Sequence, residues 1–142
     1  MAGEIKINIL DFNPDIAIGI ALPITSGNSS IFNLNYTTFN QIKSDLNNLL
    51  MTEPGERFML LEYGCGLKHK LFEQNSVKLQ SDIDSIIRTA INRWMPYIII
   101  NEIDISTDLN NENLIRINIA FSTNSNPSEI DILTITTPIP SL

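Results

Sequence analysis

Cysteine is nearly missing: Cys65 is the only one in 142 residues, which excludes an internal disulfide and every multi-cysteine zinc site. Histidine and tryptophan are equally scarce, with His69 and Trp94 standing alone. Positive charge is short too. Nine Lys and Arg face sixteen Asp and Glu, a formal net charge of −7, and a nucleic-acid binder would need a basic patch to displace counterions. No run approaches the roughly 20 apolar residues of a membrane span. Met1 to Leu10 alternates charge with isoleucine, so no signal peptide is expected. Charged residues make up only 18% against 43% hydrophobic, too apolar a balance for a disordered chain. These shortages lead to the expectation of a soluble protein from a reducing compartment, with residues 1–142 as a single domain long enough to bury a core.

What the chain has in excess is isoleucine, 25 positions, and β-branched side chains at that frequency favour sheet. Glu4 to Ile9 alternates polar and apolar as a half-buried strand does, and Ile16 to Leu22 is a less regular candidate ending at Pro23. Thr25 to Ser30 is all turn chemistry and reads as a loop. Phe39, Ile42, Leu46, Leu49 and Leu50 follow helical spacing, with Thr38 and Gln41 as a capping box, and the helix must stop before Pro54. A second helix carries Leu79, Ile83, Ile86, Ile87, Ala90, Ile91 and Trp94 on one stripe and stops at Pro96. Ile98 to Ile105 and Leu114 to Phe121 then read as a hairpin across the polar turn Asp108 to Asn113. Ile130 to Ile135, in the C-terminal tail 123–142, adds a strand that Pro138 and Pro140 limit. The expected class is α+β: a mostly antiparallel sheet of about four to five strands packed against two principal helices.

Three constellations bear on function. Glu53-Pro54-Gly55-Glu56-Arg57 suits a type II turn, because glycine takes the positive φ its third position needs. Such a turn gathers two carboxylates and an arginine able to pair bidentately, within the chain or across an interface. Gly64-Cys65-Gly66, between Tyr63 and Leu67, implies unusual backbone φ or a close approach by another chain. Cys65 and His69 lack an orienting third group for nucleophilic catalysis and are too few for a metal. Glu53, Glu56 and Glu62 are carboxylate candidates for glycoside hydrolysis, but they crowd one turn instead of facing each other across a cleft. There is no glycine-rich phosphate loop. No catalytic residue, cofactor or metal is expected.

Several blocks together carry a family resemblance: Tyr36-Thr37-Thr38, Gln41 to Leu50, Gly55-Glu56-Arg57, Tyr63-Gly64-Cys65-Gly66-Leu67 and Leu71-Phe72-Glu73. From about Ile18 to Ile105 the chain resembles the gene product 25-like baseplate wedge family of contractile phage tails, whose type VI secretion relative is TssE. The resemblance implies a structural role, although members are often labelled lysozyme-like. It implies a place in the virion tail baseplate beside the central hub, assembly in the host cytoplasm, help in initiating the sheath, and other wedge and hub proteins as partners.

The chain departs from the family pattern at two sites. Leu61 stands where a proline is usual, and Met95-Pro96-Tyr97 stands where Glu-Pro-Arg usually follows the tryptophan. The resemblance thus makes Glu53, Glu56, Arg57, Trp94, Met95, Pro96 and Tyr97 the expected docking residues. Pro54, Gly55, Gly64, Cys65, Gly66 and Leu67 would shape the turns beside them. Sheath protein would be met by strand addition at an edge of the C-terminal hairpin, unless Asp104, Asp108 and Glu112 blunt that edge. A regulatory module of the same fold, like a bacterial anti-adaptor, and a peptidoglycan hydrolase are the alternatives.

Overall fold

Eighteen residues of strict helical periodicity make the clearest element of the chain, and its proline stop lies where expected. Helix α3 spans Val77–Trp94, and Leu79, Ile83, Ile87, Ala90 and Ile91 on it are buried. Its outer face carries an Arg88–Asp84 pair at 2.9 Å, one helical turn apart. The computed structural model of the chain describes residues 8–25, 31–71, 77–108 and 111–138. These fall into two compact units, Met1–Asn48 and Leu49–Leu142.

In the first unit, Ile9–Phe12 forms a 3-10 turn, followed by short strands β1 (Gly19–Ile20) and β2 (Leu34–Asn35), paired antiparallel. Of the expected N-terminal strand, residues 4–7 lie outside the described residues, and Ile9 belongs to the 3-10 turn instead. The reason is a capping box: Asn8 and Asp11 satisfy each other's backbone N–H groups. The expected strand from Ile16 survives only as β1, and residues 26–30 of the expected loop are outside the description.

Helix α1 (Thr38–Met51) begins one residue earlier than the expected cap implies. Thr37 is the capping residue, its Oγ1 accepting the Asn40 N–H at 3.3 Å. Thr38 is drawn into the helix because its N–H and hydroxyl both donate to Asp11 Oδ1, at 2.7 and 2.8 Å. Gln41 serves no capping box; it accepts from Asn35 and donates to Asp45.

The second unit holds the last turn of α1, the short helix α2 (Leu67–Leu71), α3 and a three-stranded antiparallel sheet. Strands β3 (Ile98–Asp108), β4 (Asn111–Thr123) and β5 (Asn126–Pro138) run in that order across it, and α3 packs against β3. The class is α+β, its five strands divided between two antiparallel sheets. Ile115, Ile117, Ile119 and Phe121 of β4 are buried on one face, joined by Leu133 and Ile135 of β5. On β3 the isoleucines change phase, from 98 and 100 to 103 and 105. A bulge at Asn101 absorbs the extra residue and keeps Ile100 opposite Phe121 and Ile103 opposite Ile119.

Candidate docking surface

The turn chemistry around Gly55 builds the site. Glu56 N–H donates to the Glu53 carbonyl at 3.1 Å, and Gly55 between them has φ +96°, as the third position of a type II turn requires. The Gly64-Cys65-Gly66 segment folds back onto this turn through Cys65 N–H donating to the Thr52 carbonyl at 3.0 Å. Gly64 has φ +130° and Gly66 φ +74°. Both glycines are therefore dictated by backbone geometry.

The acids of this turn serve the fold. Glu53 is 7% exposed, and its Oε1 accepts the Lys68 N–H at 2.8 Å, capping the first turn of α2. Its Oε2 is buried with no hydrogen-bond partner among the described residues, and His69 Nε2 is 3.7 Å away. Glu56 accepts the Glu53 N–H at 3.1 Å and faces Lys68 Nζ at 3.4 Å. That backbone bond, helped by Lys68, holds the Glu56 carboxyl below its ordinary value. Glu62 is paired with Arg93. Burial, with the Glu53 carboxylate beside it, pushes the Cys65 thiol up to about 12, where it has almost no thiolate to offer as a nucleophile. Among the described residues no group of three His, Cys, Asp or Glu is placed to hold a metal.

Around this turn the aromatic and cationic side chains stack in sequence. Arg57 lies over the Tyr63 ring at 3.9 Å, Tyr63 meets Trp94 at 5.3 Å with planes tilted by 59°, and Arg93 lies over Trp94 at 4.9 Å. Beside the stack runs a groove of about 530 Å³, lined with Pro54, Leu61, Ile86, Ala90 and Trp94 and edged by the Glu62–Arg93 pair.

The structure thus brings Arg57 and Trp94 onto one face, but it divides the Met95-Pro96-Tyr97 segment. Met95 is 4% exposed and belongs to the core, whereas Tyr97 is 41% exposed. Ile98 N–H donating to the Met95 carbonyl makes Pro96 and Tyr97 the corner of a turn, and Asn124 N–H ties Tyr97 to the β4–β5 connection. Sequence reasoning passed over Phe58, Met59 and Leu60. An apolar run between Arg57 and Glu62 reads as core, yet Phe58 and Met59 are 92% and 90% exposed.

The model of the baseplate wedge protein gp25 family matches residues 38–128. No curated protein matches the chain in sequence. In fold the chain is similar to a Geobacter sulfurreducens crystal structure that bears the name of a tail lysozyme: TM-score 0.67, 21% identity, covering 74% of this chain and 94% of that one. It is similar also to a chain of the anti-feeding prophage baseplate (TM-score 0.54, 22% identity, 86% and 85% covered). A chain of the type VI secretion baseplate complex is a further neighbour (TM-score 0.53, 12% identity, 71% and 93% covered). At those identities the likeness is one of fold, and it is the family match, running from the first residue of α1 into β5, that decides membership: the chain belongs to the baseplate wedge protein gp25 family.

Proposed function

We propose that the protein is a non-catalytic part of a contractile-tail baseplate, docked beside the central hub, that helps initiate the sheath through the edge of its C-terminal sheet and is assembled in the host cytoplasm. The observation that carries this reading is the strand order β3-β4-β5, which leaves one side of β3 and one side of β5 unpaired among the described residues. An unpaired edge offers N–H and C=O groups to an incoming strand. The β5 edge is partly blunted, since Asp131 Oδ1 accepts the Ile132 N–H at 2.7 Å. On β3, Asp104 accepts from Asn118 at 3.3 Å and so is turned to its own sheet. The side chains of Asp108 and Glu112 lie outside the described residues. Membership of the family and the baseplate complexes among the fold neighbours support the location.

Hydrogen exchange with and without the sheath protein tests the proposal. Amides of β3 or β5 should slow on binding; protection confined to other surfaces would sink strand addition. The second reading, hydrolysis of peptidoglycan, rests on the name of one fold neighbour. Against it, Glu53, Glu56 and Glu62 are each engaged by groups of their own chain. Release of reducing sugar by the purified protein, abolished by Glu53→Gln or Glu56→Gln, would establish it.

A further inference from the structure

Between the type II turn and Gly64, the chain makes a second tight turn whose corner is apolar. Leu60 N–H donates to the Arg57 carbonyl at 3.3 Å, which puts Phe58 and Met59 at the two corner positions, where polar residues and glycine are the norm. The loop is held from both sides: Gly55 N–H donates to the Leu61 carbonyl at 2.7 Å, and Tyr63 N–H to the Leu60 carbonyl at 3.0 Å. Phe58, Met59, Leu60 and Leu61 are all exposed, and Leu61 also lines the groove beside α3. Four consecutive apolar side chains, fixed outward by backbone bonds, form the kind of patch that marks an interaction site.

The charge beside the patch says what covers it. Lys68, Lys70, Arg88 and Arg93 in this unit each face a carboxylate, from Glu56, Asp82, Asp84 and Glu62. Arg57 has none among the described residues, although the chain carries sixteen acids. Its guanidinium is held by the Tyr63 ring at 3.9 Å, which orients the fork without using up its in-plane N–H donors. We infer that Arg57 and the Phe58–Leu61 corner form a docking surface for a segment of another baseplate protein that carries a carboxylate next to apolar side chains. The carboxylate pairs with the Arg57 fork, and the apolar side chains cover Phe58 and Met59. This rests on the baseplate reading, but it uses a surface apart from the sheet edge. Arginine and aromatic side chains at the centre of a patch are the residues that most often dominate binding.

The test uses assembled tail particles in which photoreactive benzoylphenylalanine replaces Phe58, whose exposed side chain leaves the fold undisturbed. Illumination should crosslink the chain to a different protein, at a segment with Asp or Glu beside apolar residues. Arg57→Glu should lower the crosslink by about tenfold or more, and reversing the partner's acid to arginine should restore it. Melting curves of the variants confirm that each remains folded. A crosslink to a second copy of this chain, to a segment without a carboxylate, or one indifferent to Arg57→Glu overturns the inference. So does the absence of a crosslink in particles that contain the chain, an outcome that leaves the baseplate reading standing. Particles assembled with the wild-type chain that nevertheless lack it overturn both.

Discussion

Gly64 sits so close to Thr52 that a Cβ added at Gly64 would lie 2.4 Å from the Thr52 carbonyl oxygen. The obstacle is backbone and cannot swing aside, and φ of +130° is itself costly for any other residue. Gly64→Ala should therefore destabilise the protein by about 3 kcal/mol or more. At Gly55, φ is +96° but nothing lies within 4 Å of an added Cβ. Gly55→Ala should cost only about 1 kcal/mol. Denaturant melts of the two variants decide it, and equal losses would show that the close approach to Thr52 contributes nothing.

Acid should weaken the same turn. The Glu56 carboxyl is held below its ordinary 4.5, chiefly by the Glu53 N–H, so the folded state binds that proton less readily than the unfolded one. Its stabilisation is then fully present above the ordinary value and lost as pH falls through the lowered one. Glu56→Gln should melt lower than the wild type at neutral pH, with the gap closing as pH drops below 4.5. A gap that stays constant into strong acid would show that the Glu56 charge plays no part.

Cys65 should be inert while the protein is folded. Its thiol is buried and pushed up to about 12, first by that burial and then by Glu53. Thiol reagents at a pH near 8, where a free cysteine reacts readily, should modify it only as fast as the chain opens. Rapid labelling of folded protein would mean that the segment between Gly64 and Gly66 opens locally.

The two residues flanking Pro96 should separate in their effects. Met95→Ala removes a buried side chain and should cost roughly 2–4 kcal/mol of stability. Tyr97→Ala should cost roughly 1 kcal/mol or less and act on assembly instead. A contact made by an aromatic ring is screened little by salt, unlike an exposed ion pair. Co-assembly assays across a salt series check this. Normal assembly of Tyr97→Ala would move the docking site away from this corner.

The elements legible in the sequence were those whose reasons are local. Helix α3 follows from its own stripe and Pro96, and the Glu53–Glu56 turn from Pro54-Gly55. What could not be read depended on distant partners. Thr38 enters α1 because Asp11, 27 residues earlier, takes its N–H. Strand β5 starts at Asn126, inside a stretch that looks like loop, because β4 supplies its pairing and an edge position tolerates Pro127. The exposed corner at Phe58 and Met59 was hidden for a similar reason. Apolar composition alone cannot tell a buried run from one turned outward by backbone bonds at Leu60 and Leu61.

The phase change in β3 offers the sharpest test of how register is set. Because side chains alternate faces, removing one residue from a strand ordinarily sends everything beyond it to the wrong face. Asn101 is the residue that the bulge leaves without a partner, between Ile100 opposite Phe121 and Glu102 opposite Ala120. Deleting it turns 98, 100, 103 and 105 into an unbroken alternation, so all four isoleucines keep their side of the sheet. The local cost is the Ser122 hydroxyl, which is buried and donates to Asn101 Oδ1 at 3.1 Å. Leaving it unpaired costs about 1–3 kcal/mol. Deleting Asp104 instead leaves the bulge in place and drives Ile105 outward, away from its position opposite Ile117. The Asn101 deletion should therefore fold with a modest loss of stability, and the Asp104 deletion should be the more damaging by several kcal/mol. Chemical denaturation of both variants measures the difference. If the Asn101 deletion is the worse of the two, the bulge is required for more than the isoleucine register.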